Sequence, residues 1–230
     1  MQAVLALAAA AAGLVTGCVV DAVIERVPKR QPVRPAIRCG IPFTAKARFV
    51  HLACAGLFAA AALRFGWSPA LPAWLVLFAA LLAISVIDLE HYIVPNRILI
   101  PLTAAAVPLL ALAVLGDDAE LADLVRGLIA GVAGLVAMLA LNLISPRGMG
   151  MGDVKMSFVL GLYLGFLGWG EVMLGFFTAF LLGAVIGVAL LALKRRGRKD
   201  AVPFGPFLAA GTVIAGLWGD PILRWYSGSP

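Results

Sequence analysis

Apolar residues run through this chain in long stretches, near 3–24, 49–66, 70–88, 98–115, 124–145, 154–169, 170–193 and 204–223, separated by short polar connections. A helix needs about 20 apolar residues to cross a bilayer's hydrocarbon core, so the pattern predicts eight membrane helices. The sixth is short. Residues 154–193 nearly form one bent stretch, with Gly168-Trp169-Gly170 as its turn.

Composition agrees with this pattern. Of 230 residues, 63% are hydrophobic and 13% charged, too little polar surface to cover a water-soluble globule. The expected fold is an all-α, polytopic helical bundle forming a single membrane domain over 1–230. Its N-terminal part, 1–66, contains a basic connection at 25–48, and its core spans 70–223.

The formal charge of +6 does not mark a nucleic-acid binder, because the basic residues sit between apolar runs rather than on one basic face. With the N-terminus outside, Arg26, Lys29, Arg30, Arg34, Arg38, Lys46 and Arg48 fall inside, as do Lys194, Arg195, Arg196, Arg198 and Lys199. Arg97, Arg147 and Lys155 join them, leaving only Arg64, Arg126 and Arg224 of the 18 outside. That asymmetry sets the topology. Asp117, Asp118, Glu120 and Asp123 then lie in an outer loop, and Trp67, Trp74, Trp169, Trp218 and Trp225 are expected at the outer headgroup level.

Val15-Thr16-Gly17-Cys18 has the look of a lipoprotein cleavage box, but a secretory signal carries its positive charge before the apolar run. Here the charge follows it, so a retained first helix is expected. Gly127/Gly131, Gly161/Gly165 and Gly183/Gly187 have the four-residue spacing that lets helices approach closely in lipid. Cys18, Cys39 and Cys54 form no CxxC pair and are expected as free thiols.

Two carboxylates stand where apolar runs meet the inner face. Asp88 lies in Ile87-Asp88-Leu89-Glu90-His91-Tyr92-Ile93-Val94-Pro95-Asn96, and Asp153 in Gly150-Met151-Gly152-Asp153-Val154-Lys155. An ionisable group at such a boundary is a functional candidate. Two carboxyls sharing a water can hydrolyse a peptide: the ionised one draws a proton from the water, and the protonated one donates to the scissile carbonyl. Neither a metal nor a nucleophilic side chain is required. The plainer readings are that Asp153 is an N-cap and Asp88 a helix-end charge. Gly150 and Gly152 are expected to permit positive φ and a close peptide approach, and Pro95 to stop the helix carrying Asp88. His51 is expected to pack, and His91 to lie hydrated beyond that helix.

Three stretches together resemble the type IV prepilin peptidases, the bacterial GxGD-type aspartic peptidases of family A24. They are Ile87 to Asn96, Gly150 to Lys155, and Val202-Pro203-Phe204-Gly205-Pro206-Phe207-Leu208-Ala209-Ala210-Gly211. The resemblance implies that Asp88 and Asp153 are the catalytic aspartates, with Gly150, Gly152, Lys155, Glu90, Pro95 and Asn96 supporting the site or the substrate. Asn96 stands where many relatives have Asp. Glu90 is placed to attract a basic leader by charge. The implied substrate is the positively charged leader of type IV prepilins or type II secretion pseudopilins, cut at the cytoplasmic face of the bacterial inner membrane, with lipid and no nucleic acid as partners.

Gly17 to Pro28 is similar to the family's segment after the first helix, with Asp21 in place of the usual Asn. Many relatives follow it with two CxxC pairs, in a region linked to N-methylation. This chain has only Cys39 there, so a tetrahedral zinc site is excluded. The peptidase needs no cofactor. S-adenosylmethionine is implied only if methyl transfer is retained. Two other classes compete: a peptidase-like assembly subunit without chemistry, and a small ion-coupled transporter, which would place its acids at the midplane in two matching halves.

Overall fold

The computed structural model describes residues 1–31, 44–116, 118–145, 149–193 and 203–228. Among them are eight helices and no strand: α1 (Gln2–Arg26), α2 (Ala45–Phe65), α3 (Leu71–His91), α4 (Asn96–Leu115), α5 (Leu121–Ile144), α6 (Met151–Leu167), α7 (Trp169–Ala192) and α8 (Gly205–Ser227). Helices satisfy every backbone polar group within one segment, which lipid demands. Seven are long and apolar enough to cross a membrane, so this is a multi-pass membrane protein. The eighth, α6, has 17 residues and rises roughly 25 Å at the α-helical 1.5 Å per residue. It is a separate helix, since the chain breaks at Gly168 before α7 begins.

The chain divides into two compact units, one of residues 1–91 and 95–120, the other of 92–94 and 121–230. In the first, α1 lies on α2, α3 packs on both, and α4 packs on α3. Glycines set the α1–α2 seam: a Cβ on Gly13 would sit 2.7 Å from the Ala55 Cα, and one on Gly17 2.9 Å from the His51 Cα. The half-buried His51 ring occupies the space Gly17 leaves, the packed position expected for it. Leu5, Val20, Ile24, Val50, Phe58 and Ile87 fill the core. Trp74 differs from expectation. It is fully buried and stacked on Phe65 at 4.8 Å, because it lies on the face α3 turns inward, whereas Trp67, Trp169, Trp218 and Trp225 are exposed.

In the second unit α6 is central and touches α5, α7 and α8. Gly127 and Gly131 of α5 interlock with Gly161 and Gly165 of α6. A Cβ on Gly161 would lie 2.5 Å from the Ala130 carbonyl oxygen, so any side chain would force the backbones apart. Gly183 faces the Phe204 ring and Gly187 faces open space, so that third pair is not a seam between helix backbones. The α7–α8 contact instead runs through Gly175 and Gly211.

Cys54 is a buried free thiol, but Cys18 is disulfide-bonded. This corrects the expectation of three free thiols, since sequence spacing alone carries no pairing information. Cys39 lies outside the described residues, as do Arg34, Arg38, Asp117, Arg147, Val202 and the basic cluster at 194–199.

Candidate active site

Asp88 lies in the last turn of α3 in the first unit and is 4% exposed, flanked by buried Ile84 and Ile87. The helix ends three residues later at His91, which is exposed as expected but is the last residue of the helix instead of lying beyond it, and is 4.0 Å from Glu90. Tyr92 then takes a positive φ of 57°, the left-handed turn that commonly terminates helices. Pro95 therefore does not stop α3. It is the N-cap of α4, and its carbonyl accepts from the amides of Ile98 and Leu99. Asn96 follows as the first, exposed residue of α4.

Glu90 is half-exposed and paired with Lys46, whose Nζ lies 2.7 Å from Oε1 and donates to Oε2 at 2.8 Å. The pair ties the start of α2 to the end of α3. Its neighbour offsets the charge expected to draw a basic leader, and an exposed pair of this kind contributes about 0–1 kcal/mol.

In the second unit Asp153 is 6% exposed and occupies the third position of α6, not the N-cap, which is Gly150. The Gly150 amide donates to Asp153 Oδ2 at 3.2 Å, so the carboxylate folds back over the helix start, where backbone N–H groups and the helix dipole favour negative charge. The two glycines do not act as expected. Gly150 has φ −76°, and Gly152 is not among the positive-φ residues. What Gly152 supplies is space: a Cβ there would meet Val94 Cβ at 2.6 Å, whereas the nearest described atom to one on Gly150 is Asp153 Oδ2, at an ordinary 3.5 Å. Lys155 is exposed on α6.

The Phe204-Gly205-Pro206 turn starts α8, with Pro206 in its first turn. Phe204 packs on Phe180 and Phe207 at ring-centroid distances of 5.1 and 6.2 Å. These residues shape the helix start and the α7–α8 packing.

Three polar residues escape a reading based on motifs. Buried Asn142 donates from Nδ2 to the Met149 carbonyl at 2.7 Å. Arg126, assigned only to the outer charge count, donates to the carbonyls of Gly165, Phe166 and Leu167 at the end of α6 and pairs with Asp123 at 2.9 Å. It thus satisfies carbonyls that a helix end leaves orphaned. Glu171, in the first turn of α7, is 6% exposed. The available signal was a polar residue inside an apolar run, clear for Asn142 and weak for the other two. Among the described residues no three His, Cys, Asp or Glu side chains cluster as metal ligands.

Comparison with known proteins is consistent with these motifs. Residues 75–188 match the model of the type IV leader peptidase family. The chain is 35% identical over 192 residues to the prepilin leader peptidase/N-methyltransferase of Aeromonas hydrophila, covering 82% of this chain and 63% of that protein. It is 34% identical over 188 residues to the protein of that name from Bacillus subtilis (82% and 72%). For the Pseudomonas aeruginosa counterpart the identity is 36% over 179 residues (77% and 60%). The chain thus spans somewhat under two thirds of the Aeromonas and Pseudomonas relatives. No solved structure matches it. Identity this high across most of the chain, together with the three motifs and the all-helical membrane fold, shows that the chain belongs to the type IV leader peptidase family.

Proposed function

We propose that this chain is a membrane-embedded aspartic endopeptidase that removes the basic leader of type IV prepilins or type II secretion pseudopilins at the cytoplasmic face of the inner membrane. One observation carries the reading: in a family of leader peptidases, both motif carboxylates, Asp88 and Asp153, are buried at helix ends. Burying a carboxyl is costly, so a chain that buries two at helix ends has a use for them. In the reaction one carboxyl is ionised and takes a proton from the attacking water. The other is protonated and donates to the scissile carbonyl oxygen; as the tetrahedral diol collapses, the first passes its proton to the leaving amine nitrogen and the second takes one back from the diol hydroxyl. Gly152, Val94 and the Gly150 amide fix Asp153, and α3 carries Asp88. Lys155 and Asn96 are both exposed.

The relatives' names also include an N-methyltransferase. The connection 25–48, to which the resemblance links methyl transfer, lies largely outside the described residues, so no step is derived through S-adenosylmethionine.

Co-expression with a prepilin tests the peptidase reading. Asp88→Asn and Asp153→Asn are each expected to reduce leader removal by at least about 10²–10⁴-fold. Complete processing by either variant overturns the proposal.

A further inference from the structure

The Met149 carbonyl and the Gly150 amide belong to one peptide group, and both are engaged. Asn142 donates to the carbonyl at 2.7 Å, while the amide donates to Asp153 Oδ2 at 3.2 Å. A trans peptide is planar, with its N–H and C=O pointing in opposite directions, and no peptide bond here is cis. Fixing the direction of the carbonyl therefore fixes the direction of the N–H.

We infer that Asn142 is a positioning residue for Asp153, aiming its carboxylate through the Met149–Gly150 peptide plane. This rests on the role proposed for Asp153. Asn142 is 9% exposed in the last turn of α5, and every residue between it and Arg126 is apolar or glycine. A buried amide is costly unless bonded, and the Met149 carbonyl satisfies it. A hydrogen bond accepted by the carbonyl also polarises the peptide and strengthens its N–H as a donor. The same turn is fixed on another side by Val94 against Gly152, which holds the backbone of α6 while Asn142 holds the peptide before it. The other charged side chains on the helices packed against α6 are Asp123 and Arg126 on α5, Glu171 on α7, and Asp220 and Arg224 on α8. They belong to the opposite end of α6, where Arg126 binds its last carbonyls. Asn142 is the polar side chain of α5 that serves the Asp153 end.

The test uses the purified full chain in detergent and a synthetic peptide with a basic leader followed by an apolar segment. Asn142→Leu and the near-isosteric Asn142→Asp, whose carboxylate only accepts, are compared with wild type. Both are expected to lower kcat about 10- to 100-fold, the scale of a misplaced catalytic group, with KM within about twofold and faster hydrogen exchange at the Gly150 amide. Retained kcat in a folded variant overturns the inference, as does unchanged Gly150 exchange. So does loss of fold in both variants, which would make Asn142 structural. If wild type leaves the peptide uncut, the peptidase reading fails, while Gly150 exchange still tests the link from Asn142 to Asp153.

Discussion

The starts of α6 and α7 follow one plan and hold their acids differently. Each helix has a glycine N-cap, Gly150 or Gly168, and an acid at its third position, Asp153 or Glu171, and each acid is 6% exposed. At α7 the acid is wedged between glycines. A Cβ on Gly168 would lie 2.5 Å from Glu171 Oε2, and one on Gly219 of α8 would lie 2.9 Å from its Cγ. At α6 the N-cap side is roomier, with 3.5 Å between a Gly150 Cβ and Asp153 Oδ2, and the carboxylate is aimed by a peptide hydrogen bond. Glu171 is the more tightly packed of the two, which suits a structural group, whereas Asp153 has more room on its N-cap side, which suits a group that must meet a substrate.

Exchanging each acid for its amide should separate the two roles most sharply. Asp153→Asn is expected to abolish cleavage while leaving resistance to denaturation near wild type. Glu171→Gln is expected to do the reverse, losing about 1–3 kcal/mol of stability, because the buried site was built around a carboxylate, while the folded fraction keeps its kcat. Denaturant titration alongside a cleavage assay reads both quantities. Cleavage lost in Glu171→Gln at unchanged stability would break the comparison.

Gly152→Ala comes next in size. Its new methyl group runs into the Cβ of Val94, a β-branched side chain that cannot swing aside. Overpacking of this kind costs about 1–3 kcal/mol and shifts the backbone carrying Asp153, so both stability and kcat should fall. Val94→Gly placed on the Gly152→Ala background should restore part of each, because it removes the Cβ that the new methyl group meets. Absence of any recovery in the double variant would show that Gly152 serves something other than this contact.

The eight helices were legible because lipid leaves an apolar segment few alternatives to a helix, and even the short α6 was separable at Gly168. What lay on which face was not legible. A run that is apolar all round carries no stripe, so the inward turn of Trp74 and the idle Gly187 emerged only from packing. The candidate site divides in the same way. Asp88 and Asp153 stood out as charges at apolar boundaries, and the GxGD pattern selected them. Asn142 is seven residues from Met149, and its role depends on which way one peptide plane points. Glu171 looked like one more acid at a helix end, because its burial comes from Gly219, nearly fifty residues away in sequence. The same motif led to an expectation of positive φ that the backbone does not have: glycine there saves space, and at Gly150 even that saving is small.

The smallest effect should come from that first glycine of the GxGD motif. Gly150 has a φ that any residue adopts, and its added methyl would meet Asp153 Oδ2 at ordinary contact distance while leaving the amide free to donate. Gly150→Ala is therefore expected to change stability by no more than about 0.5 kcal/mol. Gly168→Ala, which pushes against a carboxylate already backed by Gly219, should lose about 1 kcal/mol or more. Denaturant titration of the two alanine variants checks this ordering, and equal losses would mean that the two helix starts are packed alike. The cleavage rate of Gly150→Ala then carries separate information. With the fold and the Asp153 hydrogen bond both intact, a fall in kcat/KM is the expected mark of a peptide substrate that lies against Gly150, and an unchanged value would remove Gly150 from the substrate's path.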